Sequence, residues 1–202
     1  MARYTGPKTK KSRRVGVRLF PKDEKILTKR NFPPGMHSQA RRRISEFGQQ
    51  LLEKQKTKWL YGILERQFRR YYQRAAKQKG RTGQLLLQYL ESRLDNVVYR
   101  LGFASTRPQA RQMVSHGFFE VNGKKINIPS YEVKVGDVIS VRKSKQNSKL
   151  IQVQKAKLAK YKTPEWLQLD AKTLSGKMLS LPTEDSADVT INPQLIVEYY
   201  SR

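Results

Sequence analysis

The sequence predicts an α+β protein: a mainly helical lobe, interrupted in the chain by a small domain of helix-turn-helix and β-strands. Three observations predict it. Apolar residues recur at spacings of three and four between Ser45 and His116, the period of a half-buried helix. From Phe118 the pattern turns extended, around the turn pairs Asn122-Gly123 and Gly136-Asp137. Hydrophobic residues are 37% of the 202, below the roughly 45–50% of ordinary globular chains. One or two small cores with basic extensions are therefore expected, not one large core.

Residues 1–43 hold many cations, few apolar residues and the breakers Gly6, Pro7, Pro21, Pro33, Pro34 and Gly35. Pro33 and Pro34 forbid a continuous helix. Such a segment buries too little surface to offset its conformational entropy, so it is expected to be a basic extension that orders on a partner. Residues 44–91 read as the helical lobe. Ser45 is a candidate N-cap for a helix running to Gly62. The next helix turns Ile63, Leu64, Gln67, Phe68, Tyr71, Tyr72 and Ala75 towards a core and Arg66, Arg69, Arg70, Gln73, Arg74 and Lys77 away from it. Arg66, Arg70 and Arg74 repel one another at i, i+4 spacing. A polyanion against that face would remove the penalty; the alternative is a merely solvated basic face. Thr82 is a candidate cap for a further helix carrying Leu86, Leu90, Leu94, Val97, Val98 and Leu101, which Gly102 stops.

Residues 92–149 read as the small second domain. Thr106 and Gln109 have capping-box spacing with Pro108 in the first turn. The helix they open buries Ala110, Met113 and Val114 and ends at Gly117. A hairpin about Asn122-Gly123 presents Lys124 and Lys125, and Val135, Val138, Ile139 and Val141 supply strand material. Residues 150–202 are expected to pack back on the helical lobe, with a helix from Leu150 to Tyr161 and a strand-like end, LIVEYYSR. The acids Glu184, Asp185 and Asp188 suit contact with protein better than with a polyanion.

Charge narrows the function. The chain has 42 Lys plus Arg against 16 Asp plus Glu, a formal +26. Cations that neutralise phosphates release condensed counterions, so nucleic acid is the favoured partner. Residues 1–100 carry 26 basic and 7 acidic side chains, residues 101–202 only 16 and 9; the first half should supply most nonspecific attraction. No run of about eighteen apolar residues exists to span a bilayer, and MARYTGPKTKKSRR lacks the apolar stretch of a secretory signal. There is no Cys, which excludes disulfides and thiolate metal sites. Catalysis is not expected: neither His sits in a triad-like context, and no GxxxxGK[ST] loop is present. A DNA-compacting protein would share the charge but not the mixed α+β unit or the nearly neutral tail.

Residues 92–142, SRLDNVVYRLGFASTRPQARQMVSHGFFEVNGKKINIPSYEVKVGDVISVR, resemble the small RNA-binding domain named after small-subunit ribosomal protein four. That domain also occurs in RNA-modifying enzymes and a tRNA synthetase, so the flanks decide. FPPGMHSQARRR, LLEKQKTKWLYGILERQFRRYYQRAAKQKGRTGQLLLQYLE and VEYYSR resemble the bacterial and organellar family of that ribosomal protein itself. The resemblance runs from Tyr4 to Arg202 and is weakest at 8–31 and 143–182. It implies a structural protein of the small subunit that binds a junction of small-subunit ribosomal RNA early in assembly. It also implies contact with protein five, a functional link with protein twelve, an influence on decoding accuracy and a place beside the path by which mRNA enters. No membrane or small-molecule partner is implied. Bacterial cytoplasm and, alternatively, plastid stroma are the compartments. Many relatives hold a metal with four cysteines, the first pair close to Thr9 and Ser12 here. With none of the four, this chain is expected to have no zinc, no iron–sulfur cluster and no other cofactor; His37 and His116 cannot make a tetrahedral site.

RNA helices offer phosphates, 2′-hydroxyls and a shallow minor groove, which spaced cations and short polar groups on rigid helices can meet. The expected contacts in the small domain are Arg93, Arg107, Gln109, Arg111, Gln112, Ser115 and His116, with Lys124 and Lys125 on the hairpin. Elsewhere they are Arg3, Arg13, Arg14, Arg41, Arg42, Arg43, Lys54, Lys58, Arg66, Arg69, Arg70 and Arg74. Some residues have a second reading. Ser115 belongs equally to a fraying helix end, His116 to a helix cap and His37 to a surface loop. Asp95 is read as pairing with a neighbouring Arg, and Tyr71, Tyr72, Tyr89 and Tyr99 as core rather than base-stacking groups.

Overall fold

The computed structural model describes residues 4–36, 38, 43–158, 161–183 and 191–202. Arg3, His37, Arg41, Arg42, Glu184, Asp185 and Asp188 lie outside them. The chain divides into two units, Met1–Leu86 with Ala187–Arg202, and Leu87–Ser186.

The first unit is helical: α1 Thr9–Val15, a 3₁₀ turn Pro21–Asp23, α2 Glu24–Lys29, α3 Glu46–Leu60, α4 Glu65–Ala76 and the start of α5 Thr82–Glu91. Residues 9–33 have local order of their own, beyond what a bare basic extension would show. Thr9 and Ser12 both donate to the buried Asp23 carboxylate, which ties α1 to the turn before α2. Ser45 caps α3, its hydroxyl accepting from Gly48 N–H at 3.2 Å. Thr82, by contrast, is the first helical residue of α5 rather than its cap.

Residues 193–202 differ from the strand expected there. Asn192 accepts from Gln194 N–H at 3.1 Å and Pro193 occupies the first turn, a cap that starts a helix. This last helix of the chain, Pro193–Ser201, packs on α3 with Ile196 fully buried. Tyr199 meets Phe47 at 5.6 Å between centroids, and Tyr200 stacks on Tyr72 at 4.5 Å and Phe68 at 6.2 Å. Within VEYYSR, Val197 to Tyr200 are thus half-buried against their own unit, and Ser201 and Arg202 are exposed.

In the second unit the helix expected through Leu101 is broken. Arg93 is extended (φ −66°, ψ 137°) and bridges Glu132, so α6, Leu94–Arg100, starts afresh. Next come α7 Arg107–Ser115, β1 Phe119–Val121, β2 Lys124–Lys125, β3 Val138–Val141, α8 Lys143–Gln146, α9 Lys149–Leu158, β4 Leu167–Asp170 and β5 Ser175–Met178; the helix on α3 is α10. The strands form an antiparallel sheet in the order β2-β1-β3-β5-β4. Asn122 (φ 49°) and Gly123 (φ 76°) make the hairpin turn, both in the left-handed region that a type I′ turn needs.

α6 and α7 pack on one face of this sheet through Leu94, Val97, Val98, Leu101, Ala110, Met113 and Val114 against Phe119, Val121, Ile139 and Val141. Ile151, Leu158, Trp166, Leu167, Leu174 and Met178 join the same core. Residues 150–178 therefore complete the second unit instead of returning to the first, because β5 pairs with β3, Ile139 opposite Gly176. Gly176 is required there: a Cβ would collide with the Leu101 side chain. Val135 and Val138 remain exposed.

Candidate nucleic-acid interface

In the first unit, the outward face of α4 carries Arg66, Arg69, Arg70 and Arg74, all exposed, while Phe68 and Ala75 are fully buried. The alternation follows the sequence pattern, although Leu64, read as core, is 42% exposed because the helix begins one residue after it. Arg14 and Arg43 are exposed as well. Arg13 is half-buried, donating to the Phe32 and Pro33 carbonyls at 3.0 and 3.3 Å over the Phe32 ring.

Lys54 and Lys58 are held inside. Both bond Glu65, at 3.0 and 2.8 Å, and Tyr200 donates to the same carboxylate at 2.7 Å. Burial would raise the Glu65 pKa, but the hydrogen bonds from Lys58, Tyr200 and Lys54 outweigh it and bring it to about 2. Burial, then the bond to Glu65, pushes Tyr200 well above the usual phenol range. Lys11 sits 3.2 Å from the Tyr4 ring centroid and 5.4 Å from that of Trp59; burial, then nearby Lys58 and Lys8, lowers it to about 8.

In the second unit Arg93 does not reach the surface. It is 2% exposed, with its guanidinium forked on Asp95 at 3.0 and 2.8 Å. Arg111, half-buried, approaches the same carboxylate at 3.4 Å. The reading of Asp95 as an intradomain partner agrees with this geometry. Beside it, Glu91 pairs with Arg100 and accepts from Asn96 Nδ2 at 2.6 Å. Asn96 Oδ1 in turn accepts from Arg107 Nε at 2.8 Å, and the Arg107 guanidinium lies 4.5 Å over Tyr99. A buried acid and amide, with a half-buried aromatic ring, thus fix a half-exposed arginine, and an immobilised guanidinium loses less entropy on meeting a phosphate.

Thr106 caps α7, its hydroxyl accepting from Gln109 N–H at 3.3 Å, while Gln109 Oε1 accepts from Ser105 N–H at 3.0 Å. Gln112, Ser115 and His116 are exposed further along; the Ser115 hydroxyl donates to the Arg111 carbonyl at 3.0 Å. Lys124 and Lys125 are exposed on β2. Lys125 folds over Gly117, where a Cβ would stand 2.8 Å from its Cε, and Arg142 donates to the Gly117 carbonyl at 3.2 Å. Two cations therefore gather at the C-terminal end of α7, where its dipole favours them. Arg142 and Lys145, the latter 5.4 Å from the Phe118 ring centroid, were not singled out from sequence. No local motif marks them; only the pairing of β3 with β1 brings them here.

At Thr9 and Ser12, near where the family resemblance implies a metal in cysteine-bearing members, the side chains do not fit one. Thr9 and Ser12 offer neutral hydroxyls already bonded to Asp23, with no thiolate or imidazole, and no cluster of three His, Cys, Asp or Glu ligands occurs among the described residues.

Residues 3–91 match the family model "Ribosomal protein S4/S9 N-terminal domain", and residues 92–139 match "S4 domain". The small ribosomal subunit protein uS4 of Roseiflexus castenholzii is 53% identical over 206 residues, covering all of both chains. The chain belongs to the uS4 family of small ribosomal subunit proteins. The uS4 proteins of Chloroflexus aurantiacus and Caldicellulosiruptor saccharolyticus are 54% and 53% identical, again along the whole of both chains. No described helix is long and apolar enough to cross a membrane.

Proposed function

We propose that this chain is a structural constituent of the small ribosomal subunit that binds small-subunit ribosomal RNA directly and helps nucleate assembly of the subunit body. The observation that carries the reading is the match to uS4 proteins along the entire chain. The cationic face of α4 and the polar edge formed by α7 and the hairpin supply the chemistry for it. Arg14, Arg43, Arg66, Arg69, Arg70 and Arg74 act on phosphates in the first unit. Arg107, Gln109, Arg111, Gln112, Ser115, His116, Lys124 and Lys125 act in the second, where arginine forks suit phosphate oxygens and amides suit base edges. Lys54 and Arg93 serve the interior instead.

Binding begins with long-range attraction from the +26 charge and tightens as side chains settle on a folded junction. The family resemblance extends the reading to contact with protein five, a functional link with protein twelve, an influence on translational accuracy and a position along the path of incoming mRNA. The setting is the ribosome of the bacterial cytoplasm, or of the plastid stroma. The test is binding of the purified chain to matched small-subunit ribosomal RNA at physiological salt against excess unrelated structured RNA. Retained tight binding is expected; loss to competitor would reduce the chain to a general basic adhesive.

A further inference from the structure

The exposed side of α7 ends over a cavity of about 270 Å³ lined by Gln109, Gln112, Met113, His116, Phe118 and Leu150. Gln109, Gln112, Met113 and His116 follow one another at helical spacings of three, one and three, so a single face of α7 forms one wall. Phe118, just before β1, and Leu150, in the first turn of α9, form the other. We propose that this cavity receives one unpaired nucleobase of the RNA, so that the second unit reads a base as well as phosphates. The proposal rests on the RNA-binding function above.

The lining favours that occupant over others. A bare phosphate would gain nothing from Met113, Phe118 and Leu150. A wholly apolar group would strip water from two amides and an imidazole without replacing their hydrogen bonds. A base satisfies both sets, its flat face against the Phe118 ring and its edge towards groups that both donate and accept. Gln109 is already oriented, its Oε1 engaged by Ser105 N–H. Lys145 lies 5.4 Å from the centroid of the same Phe118 ring, and Lys149 precedes Leu150; both place positive charge where the attached sugar-phosphate would run. Aromatic stacking combined with cations along the backbone is how proteins hold unpaired nucleotides.

Base accessibility tests this. The full chain is bound to matched small-subunit ribosomal RNA and probed with dimethyl sulfate and carbodiimide, which together report the pairing edges of all four bases. Gln112→Ala with His116→Ala removes exposed side chains and leaves the core intact; Phe118→Leu keeps apolar bulk but removes the ring. An unpaired base protected by the unaltered chain should become reactive with either variant, affinity should fall about tenfold, and the salt dependence should keep its slope. Unchanged base reactivity, or a reduced salt slope, would overturn the proposal by assigning these residues to nothing or to phosphates. If the unaltered chain itself fails to hold the RNA against competitor, the RNA-binding reading falls first and the cavity with it.

Discussion

Glu65 collects three donors, two of them from α3 and one from α10, and its replacement has a calculable signature. Its carboxyl titrates at about 2 in the fold against 4.5 for the unperturbed group. A folded pKa below the unfolded one stabilises fully above about pH 4.5 and ceases to as the pH falls through 2. Glu65→Gln should cost about 1–2 kcal/mol at pH 7, partial exposure keeping the figure modest. Thermal melts across pH should show that gap closing below pH 4.5; a gap constant down to pH 2 would contradict the assignment. Residues whose partners are local were legible in advance. The Thr106 cap and the Asn122-Gly123 turn depend on neighbours within three positions. The burial of Arg93 was not legible, since residues i and i+2 do not face each other on a helix. Its pairing with Asp95 requires the break that the bridge to Glu132 creates. Lys54 was misread for a similar reason: its partner comes from the next helix.

At the scale of elements, periodicity found α3, α4 and α7 but assigned the chain's last segment to a strand. LIVEYYSR is rich in β-branched and aromatic residues, and tertiary burial on α3 overrode that propensity. Removing residues 193–202 should therefore destabilise the first unit rather than merely weaken an outside contact. It removes Ile196, whose full burial is worth about 1.5–3 kcal/mol, together with the ring contacts of the half-buried Tyr199 and Tyr200. Hydrogen exchange should show α3 and α4 amides losing protection while those of β1 and β3 keep theirs. Equal loss in both units, or none, would refute the expected locality. The sheet's extension by β4 and β5 escaped sequence reading too, because Gly176 pairs with Ile139 across 37 positions and no local pattern announces it.

For the molecule as a whole, the charge surplus was plain from composition, but its placement was not. Folding removes Lys54, Arg93 and Arg100 from the surface into pairs with acids and leaves exposed cations on α4 and the hairpin. Lys124→Gln with Lys125→Gln should weaken binding to all RNAs alike and lower the log–log salt slope by about one unit or less per lysine. Titrations at several salt concentrations would measure this, and an unaltered slope would remove the hairpin from the interface.

The return of α10 to α3 imposes an order on folding during synthesis. Every strand and helix of the second unit, Leu87–Ser186, leaves the ribosome before α10 does. The usual sequence, in which the N-terminal part folds first as it emerges, is therefore inverted for the final core. The first unit must wait with its α3 surface open, and its Phe47, Phe68 and Tyr72 rings unmatched, until the second is fully translated. During that interval the nascent chain shows an aromatic, strongly cationic surface to a cell full of RNA. Whatever meets it then does so before the chain has its finished shape.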